Sequence, residues 1–543
     1  MTIGIEIDST KLDQIFAPYD RSDAPGVVVG VALGGRPRYR RGFGLASMDL
    51  PIVLSPTMRL RIGSTSKHFC CLVILLLAEE GRLSLDDSPR KHLPELPRWA
   101  DGMTLRQLMS HTSGMRCSID LILQFSGLSA PAPEGAQLEL LSKQDSVNFA
   151  PGESWNYNNG GYVLLTEIAE RLSGKPLGEV LRERVFEPAG MHDTMLRLYD
   201  TDFVTNSASL HLPTLTGGFV RGVFGPPIAG EGGIVSTVDD MLRWLVHMSH
   251  PRVGSLETWN AMRTPLTSHG YGLGLFMGEY RGLRILHHAG GVIGGSSQML
   301  KVIDHDLDII LMSNRSGVIA PIDLAEQVID ACVTGLTPKF ENTPAEKAIT
   351  ATFHSAATGA YVRLFAEGGR QSGELHGTGL PLLRDANGVL TSKSATTDAR
   401  ITPIFEAGQL VAVDLTEYGV TERLPRQQAP GDGGKAMLSG RYDCPTASAT
   451  GVVTVAEDGG VRLAMRGAWG GVDYRLKPVG PGLWSCSTGN PLLPLGGVIE
   501  VDDQGFRFSS TRTRRLRFRR ALSDRVTTTG ITTTRASEVE TAE

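Results

Sequence analysis

The stretch Lys67-His-Phe-Cys-Cys-Leu-Val-Ile-Leu-Leu-Leu-Ala78 constrains the fold more than any other part of the chain. It predicts a helix over 67–80, stopped by Gly81, with apolar residues on almost every side. Such a helix has to be enclosed by other layers instead of lying on a surface. Its uninterrupted apolar part spans ten residues, 69–78, between His68 and Glu79. A bilayer crossing needs roughly 20. The helix therefore belongs at the centre of a large core, and 543 residues supply enough chain for about two to four domains.

Residues 1–338 alternate helix and strand signals. A hairpin is expected from 27–33 and 38–45 through Gly34-Gly35, and helices over 162–172 and 239–248, the last opened by the cap signal Ser236-Thr237 before Asp239-Asp240. Short strands follow at 272–277, 283–288, 296–303 and 307–312, then a helix at 322–333. An antiparallel sheet flanked by helices, an α+β unit, accounts for this order. Past a linker at 337–344 helical periodicity fades. Residues 350–426 and 437–522 read as two small antiparallel β-barrel domains, and the Thr-rich tail at 524–543 as disordered.

The chemistry concentrates in three segments. Gly63-Ser64-Thr65-Ser66-Lys67 opens the enclosed helix, and the i, i+3 spacing puts Ser64 and Lys67 on one face. A serine hydroxyl at a helix N-terminus lies near unpaired N–H groups that can hold an oxyanion, and a lysine amine in a dry cleft can serve as its base. By itself the spacing is weak, since Ser-x-x-Lys arises about once by chance in a chain of this length. Ser88-Pro-Arg-Lys91 also fits, in a charged loop with no apolar helix behind it, and reads as a surface match. Alone, Ser64 reads equally well as an ordinary helix cap.

Trp155-Asn-Tyr157-Asn158-Asn159-Gly-Gly161 feeds a helix and can present the Tyr157 phenol for proton transfer and the Asn159 amide for substrate binding. Its plain alternative is an Asn-Gly turn beside a core aromatic. His287-His288-Ala289-Gly290-Gly291 ends a strand, where only one of the two histidines can face a cleft and glycines permit close approach of a substrate backbone.

Together the three segments resemble the serine β-lactamase and penicillin-binding protein superfamily. Tyr157-x-Asn159 and His288-x-Gly290 are similar to its class C β-lactamase branch, as are the segments 105–115 and 232–240. A catalytic domain followed by two β-barrels resembles the layout of bacterial D-aminopeptidases of that family, as do Val185-Phe-Glu-Pro-Ala-Gly-Met191, Gly440-Arg-Tyr442 and Arg515-Leu-Arg-Phe-Arg519. The resemblance implies an acyl-enzyme on Ser64, with Lys67 and Tyr157 moving protons, His288 as the wall histidine, and Asn159, Gly290 and Gly291 binding substrate. It implies release of an N-terminal D-residue such as D-Ala from short peptides, amides or esters. It also implies β-lactams as possible inhibitors, a homodimer, and neither metal nor cofactor. An esterase, a D-amino-acid amidase or a β-lactamase-like or DD-carboxypeptidase-like hydrolase would use the same site, and an inactive penicillin-binding-type protein is the non-enzyme alternative. A third-domain loop, about 485–495, is expected at the cleft; it contains no Asp or Glu, so a substrate amine would have to meet carbonyl groups there.

Other classes find little support. A net charge of −5, from 53 basic and 58 acidic residues, gives no general reason to expect nucleic acid or an anionic membrane. The arginine-rich run 512–520 alternates with Leu516 and Phe518 and reads as one solvated strand face. The 13 histidines show no metal-ligand spacing, and no Gly-x-Ser-x-Gly elbow occurs. The N-terminus carries no secretion signal and six cysteines are scattered, so the cytoplasm is the expected compartment.

Overall fold

A computed structural model describes residues 3–128, 131–317, 320–339, 348–392, 397–430, 438–489 and 495–521. After a short strand at Gly4–Ile5 that pairs with Val333–Thr334 come helix α1 (Ser9–Phe16) and the hairpin of β1 (Val27–Leu33) and β2 (Arg36–Phe43). Gly34 and Gly35 turn that hairpin at positive φ, where a side chain would be strained. Helices α2 (Lys67–Glu79), α3 (Ser118–Ser126), α4 (Asn159–Ser173) and α5 (Val238–Ser249) follow. Then come strands β3 (Phe276–Tyr280), β4 (Leu283–Val292), β5 (Gly295–Val302) and β6 (Leu307–Ser313), and helix α6 (Pro321–Cys332).

The six strands make one antiparallel sheet in the order β2-β1-β6-β5-β4-β3. Alternate residues of β1 face opposite ways, as the pleat requires. Val27, Val29 and Val31 pack with Leu12, Phe16, Leu324 and Val328 of α1 and α6, whereas Val28 joins the larger core around α2. Every residue of α2 from Lys67 to Leu77 is buried. That enclosure is what an apolar surface on all sides demands.

From Ala351 to Pro425 the chain forms a four-stranded and a five-stranded sheet around one core that includes Phe353, Val362, Leu375, Ile401, Val413 and Leu424. The Phe353–Arg426 β-bridge and the Gln427 N–H, which donates to the Thr352 carbonyl at 2.8 Å, join the two sheets at one edge, so the barrel expected there takes the form of two linked sheets. Pro381 ends the last strand of the first sheet, where it has no N–H to extend the ladder.

The third unit does close. Strands β7 (Gly440–Cys444), β8 (Ala449–Val455), β9 (Val461–Gly467), β10 (Gly470–Gly480), β11 (Leu483–Ser487), β12 (Gly496–Asp502), β13 (Gly505–Ser509) and β14 (Leu516–Arg520) pair in sequence. Pairing of β7 with β14 seals the barrel. Its core is not its own. Leu121, Ile122 and Phe125 of α3 share one cluster with Leu463, Met465, Phe508 and Phe518, and the Phe125 ring meets Phe508 and Phe518 edge-on at 5.4 and 5.5 Å. Helix α3 therefore anchors the barrel to the first unit. The tail expected to be disordered, 524–543, lies outside the described residues. Among the described residues no helix is long and apolar enough to cross a membrane, and all six cysteines are free and buried.

Candidate active site

Gly63 has a φ of 54°, and a Cβ there would stand 2.9 Å from the Gly291 nitrogen. Glycine is what lets the short turn Gly63–Ser66 press against the end of β4. Ser64 lies in this turn and Lys67 opens α2. The Lys67 Nζ donates to Ser64 Oγ at 3.1 Å, to Asn159 Oδ1 at 2.7 Å and to the Glu231 carbonyl at 2.5 Å. Three acceptors thus surround the nitrogen of a side chain that is completely buried.

Two cations flank the Tyr157 ring: Lys67 Nζ is 4.9 Å from its centroid and Arg512 Cζ 5.0 Å. The phenol oxygen is buried and has no hydrogen-bond partner among the described residues. The loop that carries Tyr157 is held at its neighbours. Asn158 caps α4 by accepting from the Gly161 N–H, and its own N–H donates to His111 Nδ1 at 3.1 Å. The capped start of α4 turns Asn159 toward Lys67. His111 also packs its ring 4.3 Å from Tyr157, and burial, then the charge of Lys67, holds its pKa well below the ordinary value.

His288 is the histidine that reaches this cluster. Its ring lies 6.5 Å from Tyr157, whereas His287 stacks on Phe276 on the other face of the strand. His288 Nδ1 is 2.6 Å from the Ala289 carbonyl and therefore carries the proton, which leaves Nε2 to accept from the Tyr271 hydroxyl at 3.3 Å. Burial, reinforced by Lys67, pulls its pKa down to about 3. The expected polar wall is therefore a neutral imidazole and not a cation.

The two glycines differ. A Cβ on Gly290 would stand 1.9 Å from the Ile62 carbonyl oxygen, so Gly290 packs against the protein and is not open to a substrate. Gly291 has nothing within 4 Å of that position and lines the cavity beside Ser64. The second Ser-x-x-Lys match is an ordinary cap: Ser88 accepts from the Arg90 N–H, and Lys91 pairs with Asp87 on the surface.

The cavity at Ser64 holds about 240 Å³. Asn159, Gly291, Glu231 and Arg512 line it together with apolar side chains including Ile119, Leu123, Phe224 and Ile228. Sequence reading missed both charged residues. Glu231 accepts from Gln137 Nε2 at 2.9 Å and from the Ala229 N–H at 3.0 Å, and burial raises its pKa. Arg512 was expected on a solvated strand face, but the strand begins only at Leu516 and Arg512 sits in the preceding loop. The loop expected at the cleft, 485–495, has residues 490–494 outside the described residues. Its flanks Ser485, Ser487, Thr488, Gly489 and Leu495 line a different groove with Arg363, Glu374 and Lys477. Among the described residues, the third-unit side chain that lines Ser64's cavity is Arg512.

Comparison with known proteins matches this architecture. A D-aminopeptidase of Brucella ovis is 27% identical over 494 residues, covering 89% of this chain and 90% of the relative. The octameric penicillin-binding protein homologue from Pyrococcus abyssi superposes with a TM-score of 0.56 at 22% identity, over 77% of this chain and 100% of that one. The D-amino acid amidase of Ochrobactrum anthropi SV3 superposes with a TM-score of 0.52 at 22% identity, over 60% of this chain and 98% of its own. At these identities both structures establish the shared fold. The β-lactamase family model matches residues 12–330, more than half of the chain and all of the cavity's first-unit walls, so the chain belongs to the β-lactamase family.

Proposed function

We propose that this protein is a serine hydrolase that releases an N-terminal D-amino acid, such as D-Ala, from short peptides, amides or esters through an acyl-enzyme on Ser64. The observation that carries this reading is the 3.1 Å contact from Lys67 Nζ to Ser64 Oγ at the edge of a small, largely apolar cavity. Ser64 Oγ attacks the substrate carbonyl, and the amides of Ser64 and Gly291 receive the oxyanion, a reading supported by Gly291 lining the cavity beside Ser64. In the reacting form Lys67 is the free amine: as the Oγ–carbon bond forms, the serine proton moves to Nζ and from there, by way of the Tyr157 phenol, to the leaving nitrogen or oxygen, and a water that gives its proton back to the same pair then releases the D-amino acid from Ser64. Asn159 orients Lys67. His288, neutral and bonded to Tyr271, positions the aromatic wall around Tyr157.

The D-preference rests on the Brucella ovis relative, whose D-aminopeptidase similarity extends through all three units. The homodimer and the cytoplasmic location belong to this proposal, tested by light scattering and by fractionation.

Steady-state assays of D-Ala and L-Ala p-nitroanilides, with free and acetylated amines, test the reading. The expected result is turnover of the free D-anilide only, with none in Ser64→Ala. Equal rates on the acetylated compound would reject an aminopeptidase, and faster hydrolysis of nitrocefin or p-nitrophenyl butyrate would favour a β-lactamase or an esterase. A β-lactam or fluorophosphonate should add its mass at Ser64; absence of any adduct with either reagent would support an inactive binding protein.

A further inference from the structure

Arg512 is held in place as a binding residue would be. Its carbonyl accepts from Asn148 Nδ2 at 3.0 Å, and the preceding Thr511 carbonyl accepts from Asn156 Nδ2 at 2.8 Å. On either side, Ser510 Oγ and Thr513 Oγ1 donate to the buried Asp120 Oδ2 at 2.7 and 2.6 Å. The first unit thus grips this third-unit loop at four points and sets the Arg512 side chain over Tyr157, on the wall of Ser64's cavity.

Among the described residues, the guanidinium has neither a hydrogen bond nor an ion pair. Nearby arginines of the run are engaged: Arg514 donates to the Ser510 carbonyl, Arg515 to the Ala357 carbonyl, and Arg517 pairs with Asp502. Glu231, the carboxylate on the cavity wall, has both oxygens occupied by Gln137 and Ala229. A half-buried guanidinium aimed into a cavity and lacking a counter-ion is complementary to a carboxylate, which it can hold through two parallel N–H bonds.

We propose that Arg512 receives the α-carboxylate of the leaving residue, so that free dipeptides, with an N-terminal D-residue and an unblocked C-terminus, are the preferred substrates. This rests on the hydrolase reading above. In a dipeptide the carboxylate lies two bonds beyond the scissile nitrogen, close to the acyl carbon bound by Ser64. A C-terminal amide would place a neutral group against the cation. A longer peptide would place a further residue there.

The test compares kcat/KM for D-Ala-Gly and D-Ala-Gly amide in the wild type, Arg512→Gln and Arg512→Lys. The wild type should favour the acid by about tenfold or more, the scale of a charge-assisted bidentate contact. The acid-to-amide ratio should fall to near one in Arg512→Gln, mainly through KM for the acid, and lie between in Arg512→Lys. Because each ratio comes from one preparation, a smaller folded fraction cancels. A wild-type ratio near one would overturn the proposal. So would an equal loss on acid and amide in Arg512→Gln, which would leave Arg512 only as a neighbour of Tyr157. An Arg512-dependent preference for D-Glu over D-Ala p-nitroanilide would place the anion on the acyl side and also overturn it. Turnover of D-Ala p-nitroanilide, which has no carboxylate, reports the hydrolase reading alone; its absence would reject that reading separately.

Discussion

Residues with similar roles in the sequence separate once their surroundings are known. Ser64→Ala removes the acyl acceptor, and Lys67→Gln removes the charge that touches it. Each should lower kcat on D-Ala p-nitroanilide by about a thousandfold or more, with the circular dichroism spectrum of Ser64→Ala unchanged. Gly290→Ala and Gly291→Ala should behave oppositely. A methyl group at Gly290 collides with the Ile62 backbone and should cost stability on the order of 1–3 kcal/mol, read as a lower denaturation midpoint. A methyl group at Gly291 meets no protein atom but occupies the space beside Ser64, so it should lower kcat/KM while the denaturation midpoint holds.

Among the elements, α3 has two jobs: its apolar residues enter the barrel, and Asp120 at its first turn receives the loop that carries Arg512. Asp120→Ala strands two buried hydroxyl donors, which should destabilise the protein by about 2–4 kcal/mol. It should also lower the acid-to-amide ratio through the loosened loop. Helix α2, strand β4 and the loop at His111 contribute histidines whose charged form burial disfavours. His68 and His111 are held well below the ordinary pKa of 6.5, His287 at about 4 and His288 at about 3, in each case chiefly by burial. Below pH 6.5 the unfolded chain takes up protons that these folded rings refuse, so stability falls as pH drops from about 6.5 toward 3. Asp308, raised to about 6 by burial, acts in the opposite sense, favouring the fold as pH falls through that value. Among the described residues nine histidines are lowered in this way, chiefly by burial, against six carboxyls that burial raises, Glu231 and Asp308 among them, so thermal unfolding should shift to lower temperature between pH 7 and pH 4.5. An unchanged midpoint across that range would contradict the burial of these imidazoles.

For the whole molecule, the barrel and the first unit are one folding problem. Leu121, Ile122 and Phe125 are almost completely buried in the barrel's core, each worth about 1.5–3 kcal/mol when removed from water. A chain ending after residue 338 should expose them, aggregate and lose activity. Calorimetry of the full chain should show the barrel and the first unit unfolding together; two separable transitions would count against the shared core. The second unit joins at the same place, with the Tyr418 ring 4.2 Å from Trp155 in the loop that carries Tyr157. All three units therefore meet at the loop that carries Tyr157.

The sequence alone determined the enclosed helix, because apolar side chains all round admit no other environment, and it paired Ser64 with Lys67, because i, i+3 spacing is local geometry. Strand alternation admitted only one of His287 and His288 to the cleft, and it was the His-x-Gly family pattern that selected His288. It did not distinguish Gly290 from Gly291, since that difference lies in an Ile62 carbonyl more than 200 residues away in the chain. Arg512 was misplaced because alternation does not reveal that the strand begins only at Leu516. The hydroxyls that flank Arg512 find Asp120 across separations of 390 and 393 residues. Contacts of that range leave no periodic trace in composition or spacing, so only tertiary packing could bring the third unit's cation to the first unit's nucleophile.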